Sequence, residues 1–127
     1  MTTHTQLPPG QRFFTNLDRI CASARLVVDR PKDSRHPRAP QAVYPVDYGY
    51  LDGTTGGDGE GVDVFRGSAE GAGVVGVFLT ADPNKRDVEV KVLLDCTGDE
   101  IERVRHLLDD VLEIGGLLVL RQDSQAA

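Results

Sequence analysis

The stretch DVEVKVLL, residues 87–94, constrains the fold more than any other, because Val88, Val90 and Val92 alternate with Asp87, Glu89 and Lys91. Successive side chains of an extended chain point to opposite faces, so this period of two specifies a strand with one apolar and one charged face. The expectation is a valine face against the core and a charged face turned outward. Around this strand the chain holds 14 glycines, 7 prolines and no tryptophan in 127 residues, which favours many turns and short strands. Further short strands are expected at RLVVD (25–29), YPVDYGYL (44–51), residues 62–65 and 74–80, and residues 117–120.

Two segments carry helical periodicity instead. Phe13, Phe14, Leu17, Ile20 and Cys21 recur at helical spacing, predicting a short amphipathic helix that starts near Thr15 or Asn16. Thr97-Gly98-Asp99-Glu100 reads as a capping box, and Ile101, Val104, Leu107, Leu108, Val111 and Leu112 form one apolar stripe until Gly115-Gly116. Short strands followed by one good helix point to a mainly β (α+β) fold. The expected form is a small barrel with a flanking C-terminal helix and a short N-terminal helix. Residues 1–12 read as a flexible polar lead, 13–121 as one domain and 122–127 as a flexible tail.

The balance of 20 acidic against 14 basic residues, a formal charge of −6, disfavours nucleic acid as a partner. No apolar run approaches the roughly 20 residues of a membrane span. Cys21 and Cys96 fall in no metal-ligand spacing and make no disulfide framework, which suits a reducing cytoplasm.

Four constellations could carry chemistry. In DGEGVDV (58–64) the glycines let the backbone turn tightly, which can converge Asp58, Glu60 and Asp63 on a hard cation such as Mg²⁺. A solvated acidic turn would carry the same residues. The charged side of DVEVKV places Asp87, Glu89 and Lys91 on one surface, with Asp82 close before them, although a water-facing strand would look alike. RPKDSRHPR (30–38) gathers Arg30, Lys32, Arg35, His36 and Arg38, suited to phosphate oxygens or simply to solubility. Tyr44 and Tyr48 in YPVDYGY could donate to an anion or pack in the core. Acids for metals, cations for phosphate and phenols for orientation are together the equipment for metal-assisted phosphoanhydride hydrolysis.

From about Arg25 to about Val119 the chain resembles, in order, the family I soluble inorganic pyrophosphatases. YPVDYGYL looks like that family's Y-P-x-x-Y-G-[YF] segment, and DGEGVDV like its D-x-D-x-x-D-[LIVM] signature, with Glu60 replacing an aspartate. ADPNKRDVEVK partly matches the later acid pair and D-x-K step, Pro83 standing where a glutamate is usual. The resemblance implies a five-stranded barrel of the oligonucleotide-binding type. It also implies Mg²⁺ held by Asp58, Glu60, Asp63 and Asp82 with Glu89 or Asp87, Glu89 preferred because it keeps the acid-x-Lys pair. Asp63 would orient the nucleophile, and Lys91, Tyr48, Tyr44 and Arg38 would grip phosphate, with Arg30, Lys32 and Arg35 steering the anion in. A family hairpin bearing an arginine is missing between Arg38 and Tyr44, and the late Tyr-Lys pair has no counterpart in RHLLDDVLEI.

The expected activity is therefore Mg²⁺-dependent hydrolysis of pyrophosphate or a related small phosphoanhydride in the cytoplasm, with room for a homo-oligomer. Two other readings follow from the same shortening. One is a phosphate- or nucleotide-binding domain without turnover; the other is a hydrolase of a different phosphoanhydride.

Overall fold

The computed structural model describes residues 8–122; the first seven residues of the expected lead and the last five of the tail lie outside it. Helix α1 (Gln11–Ser23) begins earlier than its apolar periodicity suggests, because Gly10, in the left-handed region at φ 84, turns the chain out of Pro8-Pro9. Phe14 and Leu17 are its buried side, and Cys21 and Ala24 continue the stripe. Eight strands follow: β1 (Leu26–Arg30), β2 (Arg35–His36), β3 (Ala39–Val43), β4 (Asp47–Leu51), β5 (Val62–Arg66), β6 (Val74–Asp82), β7 (Asp87–Leu94) and β8 (Leu117–Leu120). Between β7 and β8 runs α2 (Gly98–Arg105), which widens into a π-helical turn over His106–Val111.

The Thr97 capping box is formed at both of its hydrogen bonds, so α2 starts where its sequence directs. Beneath it, Glu100 also accepts from the Ser68 backbone N–H, tying the helix start to the loop after β5.

Six strands make one sheet in the order β1-β4-β5-β7-β6-β8, and β2-β3 form a separate hairpin. All neighbours in the sheet are antiparallel except β5 and β7, which run parallel. The sheet is open, with β1 and β8 as its edges, so the expected five-stranded barrel does not form. The physical reason lies in the two helices. Each takes one face of the sheet, giving two cores where a barrel would enclose one. Phe65, Phe78 and Leu93 pack with Val104, Leu107 and Leu108 of the α2 segment, whereas Val64, Val77 and Val92 pack with Phe14 and Leu17 of α1. Adjacent residues of β5, β6 and β7 thus serve opposite cores, as the period of two requires.

Strand β7 reverses the expected assignment of its faces. Val88 and Val90 are 69% and 40% exposed, while Glu89 and Lys91 retain only 8% and 5% of their accessible surface. Of its three valines, Val92 alone enters the α1-side core, with Leu94 packed against it. The charged side chains share the parity of Leu93 and face the α2 side of the sheet. Their burial is what makes this end of the sheet a candidate site.

Among the described glycines, backbone comes nearest at Gly49. A Cβ on Gly49 of β4 would fall on the Val27 carbonyl of β1, so Gly49→Ala must push the edge strand away. Urea unfolding should show Gly49→Ala destabilised by about 3 kcal/mol. Val88→Lys, which would be ruinous in a core, should change stability by no more than about 0.5 kcal/mol. A large loss in the latter would mean that the valine face is covered.

Candidate functional site

Adjacent strands bring four side chains together on the α2-facing side. Asp63 of β5 lies opposite Lys91 of the parallel strand β7, and Tyr48 of β4 lies opposite Phe65 of β5. The Lys91 ammonium meets Tyr48 Oη at 2.9 Å, Asp63 Oδ2 at 3.0 Å and Glu89 Oε1 at 3.3 Å, filling its three donor positions. Burial alone would lower the Lys91 pKa, but its surroundings outweigh that and hold the ammonium charged. At neutral pH the carboxylates Asp63 and Glu89 do this, because burial raises the Tyr48 pKa well above the ordinary phenol range and keeps Tyr48 protonated. Its oxygen accepts from Lys91, so its own hydrogen is free to donate.

One ammonium does not balance the acids around it. Burial pushes the Glu89 pKa up, and the carboxyl groups of Asp63 and Asp58 add to the rise against Lys91. Asp58 stands near Glu89 on the acidic loop, and its own pKa is lowered, first by the Glu60 backbone N–H at 2.9 Å. The two shifts are opposite in direction, so Asp58 ionises more readily than Glu89.

The other acids take separate places. Glu60 is exposed at the loop tip, where its carbonyl accepts from Gly56 N–H. Asp82 accepts from the backbone N–H groups of Asn84 and Lys85, closing the β6–β7 turn, and Asp87 pairs with Lys85 at 3.6 Å. The glycine-spaced acids therefore do not form the single cup expected of them. Among the described residues no three Asp, Glu, His or Cys side chains converge as a cage for one ion. The donor set nevertheless fits Mg²⁺ of the kind that keeps most of its waters and arrives with phosphate, since such an ion needs only one or two carboxylates from the protein.

Facing these acids is an aromatic and cationic wall. The rings of His36, Tyr44, Tyr48 and Phe65 follow one another at centroid distances of 6.4, 5.4 and 4.6 Å. Arg30 of β1 donates to Tyr44 Oη at 3.0 Å, and Arg38 N–H donates to His36 Nδ1 at 3.0 Å. Burial, then the charges of Arg30, Arg38 and Lys85, lower the His36 pKa, so its imidazole is neutral near pH 7. Lys32 is exposed, and its backbone N–H caps Asp47; Arg35 is exposed and donates to the Pro40 carbonyl. Of the basic loop, Arg30, His36 and Arg38 stand close together, and Lys32 and Arg35 lie toward its outside.

Sequence reasoning missed Lys85 and gave His36 no role. A lysine between two acids in a tight β6–β7 turn, where it pairs with Asp87, was the available signal for the first. A cavity of about 500 Å³ between the β2–β3 hairpin and α2, lined by Gln41, Tyr44, Glu102 and His106 among others, meets this wall only through Tyr44. No helix among the described residues is long and apolar enough to cross a membrane.

No family model matches the sequence, and no curated protein matches it. The fold is similar to a crystal structure described as an inorganic phosphatase from Anaplasma phagocytophilum, with a TM-score of 0.51 and 20% identity. That similarity covers 80% of this chain and 84% of the other. At this identity the likeness establishes a shared mixed α+β architecture.

The raised Glu89 pKa fixes the sign of a pH effect. A carboxyl whose folded pKa exceeds its unfolded value of 4.5 contributes stability below pH 4.5 that is lost as pH rises through the folded pKa. Glu89→Gln keeps a donor for Asp58 and an acceptor for Lys91 while removing the charge. Its melting temperature should exceed wild type by a few degrees at pH 7, and the two should converge near pH 4. A variant that melts lower at pH 7 would show that the ionised carboxylate is stabilising.

Proposed function

We propose that the chain is a Mg²⁺-assisted phosphoanhydride hydrolase whose simplest substrate is inorganic pyrophosphate. The observation that carries this reading is the buried Lys91 ammonium bonded at once by Tyr48, Asp63 and Glu89, with Asp58 beside it and the cations Arg30 and Arg38 opposite. Surplus carboxyl groups facing surplus cations suit a polyanion that arrives with a divalent ion. The likeness of fold to the Anaplasma phagocytophilum inorganic phosphatase supports the same direction at the level of phosphate-ester or anhydride hydrolysis.

In this reading Asp63 and Glu89 would hold Mg²⁺, with Asp58 on the acidic loop nearby and Asp82 and Asp87 at the adjoining end of the β6–β7 hairpin. The ion supplies Lewis acidity: a more acidic bound water and partial neutralisation of the phosphoryl oxygens. The chain's own residues then do three things. Asp63, anchored to Lys91, orients the attacking water and accepts its proton. The Tyr48 hydroxyl hydrogen donates to the phosphate oxygens that gain charge as the anhydride bond breaks, the Lys91 charge beside it stabilises them without a direct bond, and Arg30 and Arg38 hold the far phosphate. Tyr44 keeps Arg30 in place through its hydroxyl. A second reading, phosphate binding without turnover, is favoured by one feature: Lys91 already neutralises the acids that Mg²⁺ would need.

Phosphate release from pyrophosphate separates the two. Wild type should release phosphate only with Mg²⁺ and stop on chelation, and Asp63→Asn should be slower by about 100-fold or more with its fold unchanged by circular dichroism. A folded wild type that releases no phosphate while binding pyrophosphate would replace hydrolysis with the binding reading.

A further inference from the structure

The two edges of the sheet are unlike. β1 carries the devices that keep an edge strand from pairing with another chain: Asp29 and Arg30 lie within it, and its register shifts between Val28 and Arg30, leaving Asp29 outside the ladder. β8 carries none of them. Its four residues, Leu117-Leu118-Val119-Leu120, include no charge, no proline and no register shift against β6. Leu117, Val119 and Leu120 are nevertheless exposed.

One bond orients the β8 backbone. Arg121 N–H donates to the Val75 carbonyl at 3.0 Å, in the same register that sets Leu120 opposite Gly76 and Val119 opposite Val77. Backbone groups alternate sides along an antiparallel strand, so Val119 faces β6 as Arg121 does, and the N–H and C=O groups of Leu118 and Leu120 point away from the sheet. Among the described residues no backbone group beyond the sheet pairs with them. The side chains alternate as well: Leu117 and Val119, opposite Leu79 and Val77, lie on the α1 side, and Leu118 and Leu120 lie on the α2 side.

Such an edge is complementary to itself. In a second copy laid antiparallel, with the two-fold axis at Val119, Leu118 meets the partner's Leu120 and Leu120 meets the partner's Leu118, each pair exchanging both of its backbone hydrogen bonds. On the other face Val119 meets the partner's Val119 at the closer, non-hydrogen-bonded spacing. An axis at Leu118 instead would set the exposed Leu120 against the partner's Gly116, where no side chain covers it. The strip offers each copy a few hundred Å². That is short of the about 800 Å² per partner of a standard stable interface, so the pairing is reversible and depends on concentration.

We infer that β8 is a homodimerisation edge: two copies pair antiparallel through the Leu118 and Leu120 backbones about a two-fold axis at Val119, joining their six-stranded sheets into one. The inference is independent of the phosphoanhydride reading, because β8 carries none of the charged residues of that site.

Sedimentation equilibrium of the full chain tests it. Wild type should dimerise reversibly with a Kd on the order of 10–100 μM, as befits a small interface. Val119→Lys and Val119→Glu should each stay monomeric with circular dichroism unchanged, because like charges would meet at the axis, and an equimolar mixture of the two should dimerise again. Leu120→Pro, which removes an outward N–H, should weaken dimerisation by about tenfold or more. A wild type that remains monomeric up to about 500 μM overturns the inference. So does a dimer that both charged variants retain, which would place the contact on another surface, such as the exposed Val88 and Val90. Two monomeric variants whose mixture stays monomeric would overturn the two-fold axis at Val119.

Discussion

Burial of the Lys91 ammonium on the α2 side of the sheet is the constraint around which the rest of this end of the molecule is arranged. A charged amine with 5% of its surface exposed is costly unless each of its donors is used. Tyr48, Asp63 and Glu89 use all three, and they come from three neighbouring strands. The parallel pairing of β5 with β7 sets Asp63 opposite Lys91, and the antiparallel β4 delivers Tyr48. Shifting any of these strands by one residue would turn its member toward the α1 side and leave the ammonium short of a partner.

That arrangement divides the sheet's α2-facing side into two regions. Phe65, Phe78 and Leu93 are dry under the α2 segment. Beyond them the same side carries the buried charge of Glu89 and Lys91, and the acidic loop approaches β7 at Gly57, beside the Val88 carbonyl. The rigid apolar region positions the charged one. Phe65 shows the join directly: it belongs to the core, yet its ring packs at 4.6 Å from Tyr48, whose hydroxyl binds Lys91. The electrostatics are paired in the same way, with carboxyl groups in excess on the β5–β7 side and cations in excess on the β1 and hairpin side.

Much of the local structure was legible in the chain. The capping box at Thr97, the helical stripe from Ile101 to Leu112, the strand at 87–94 and the closing strand at 117–120 are where short-range pattern puts them. The start of α1 was less so, because no side-chain cap announces it and the turn at Gly10 sets it. The acidic loop and the basic loop were visible as compositions, but which of their members face the site was not. Asp63 is held there by strand pairing and its bond to Lys91, whereas Asp58 and Glu60 on the acidic loop are both exposed.

The sequence by itself determined that residues 87–94 form a strand with two unlike faces, because alternation is a property of neighbouring residues. It also determined that acids, cations and phenols would each be concentrated in one short segment. Only the tertiary structure decided that the charged face is the buried one, since burial depends on which elements cover a face. Here Tyr48 and Asp63 of the neighbouring strands close over Glu89 and Lys91, while Val88 is left exposed. The open sheet was decided in the same way. Strand number and turn residues do not encode whether the first and last strands meet, and the two helices, one on each side, give this sheet two cores instead of a closed interior.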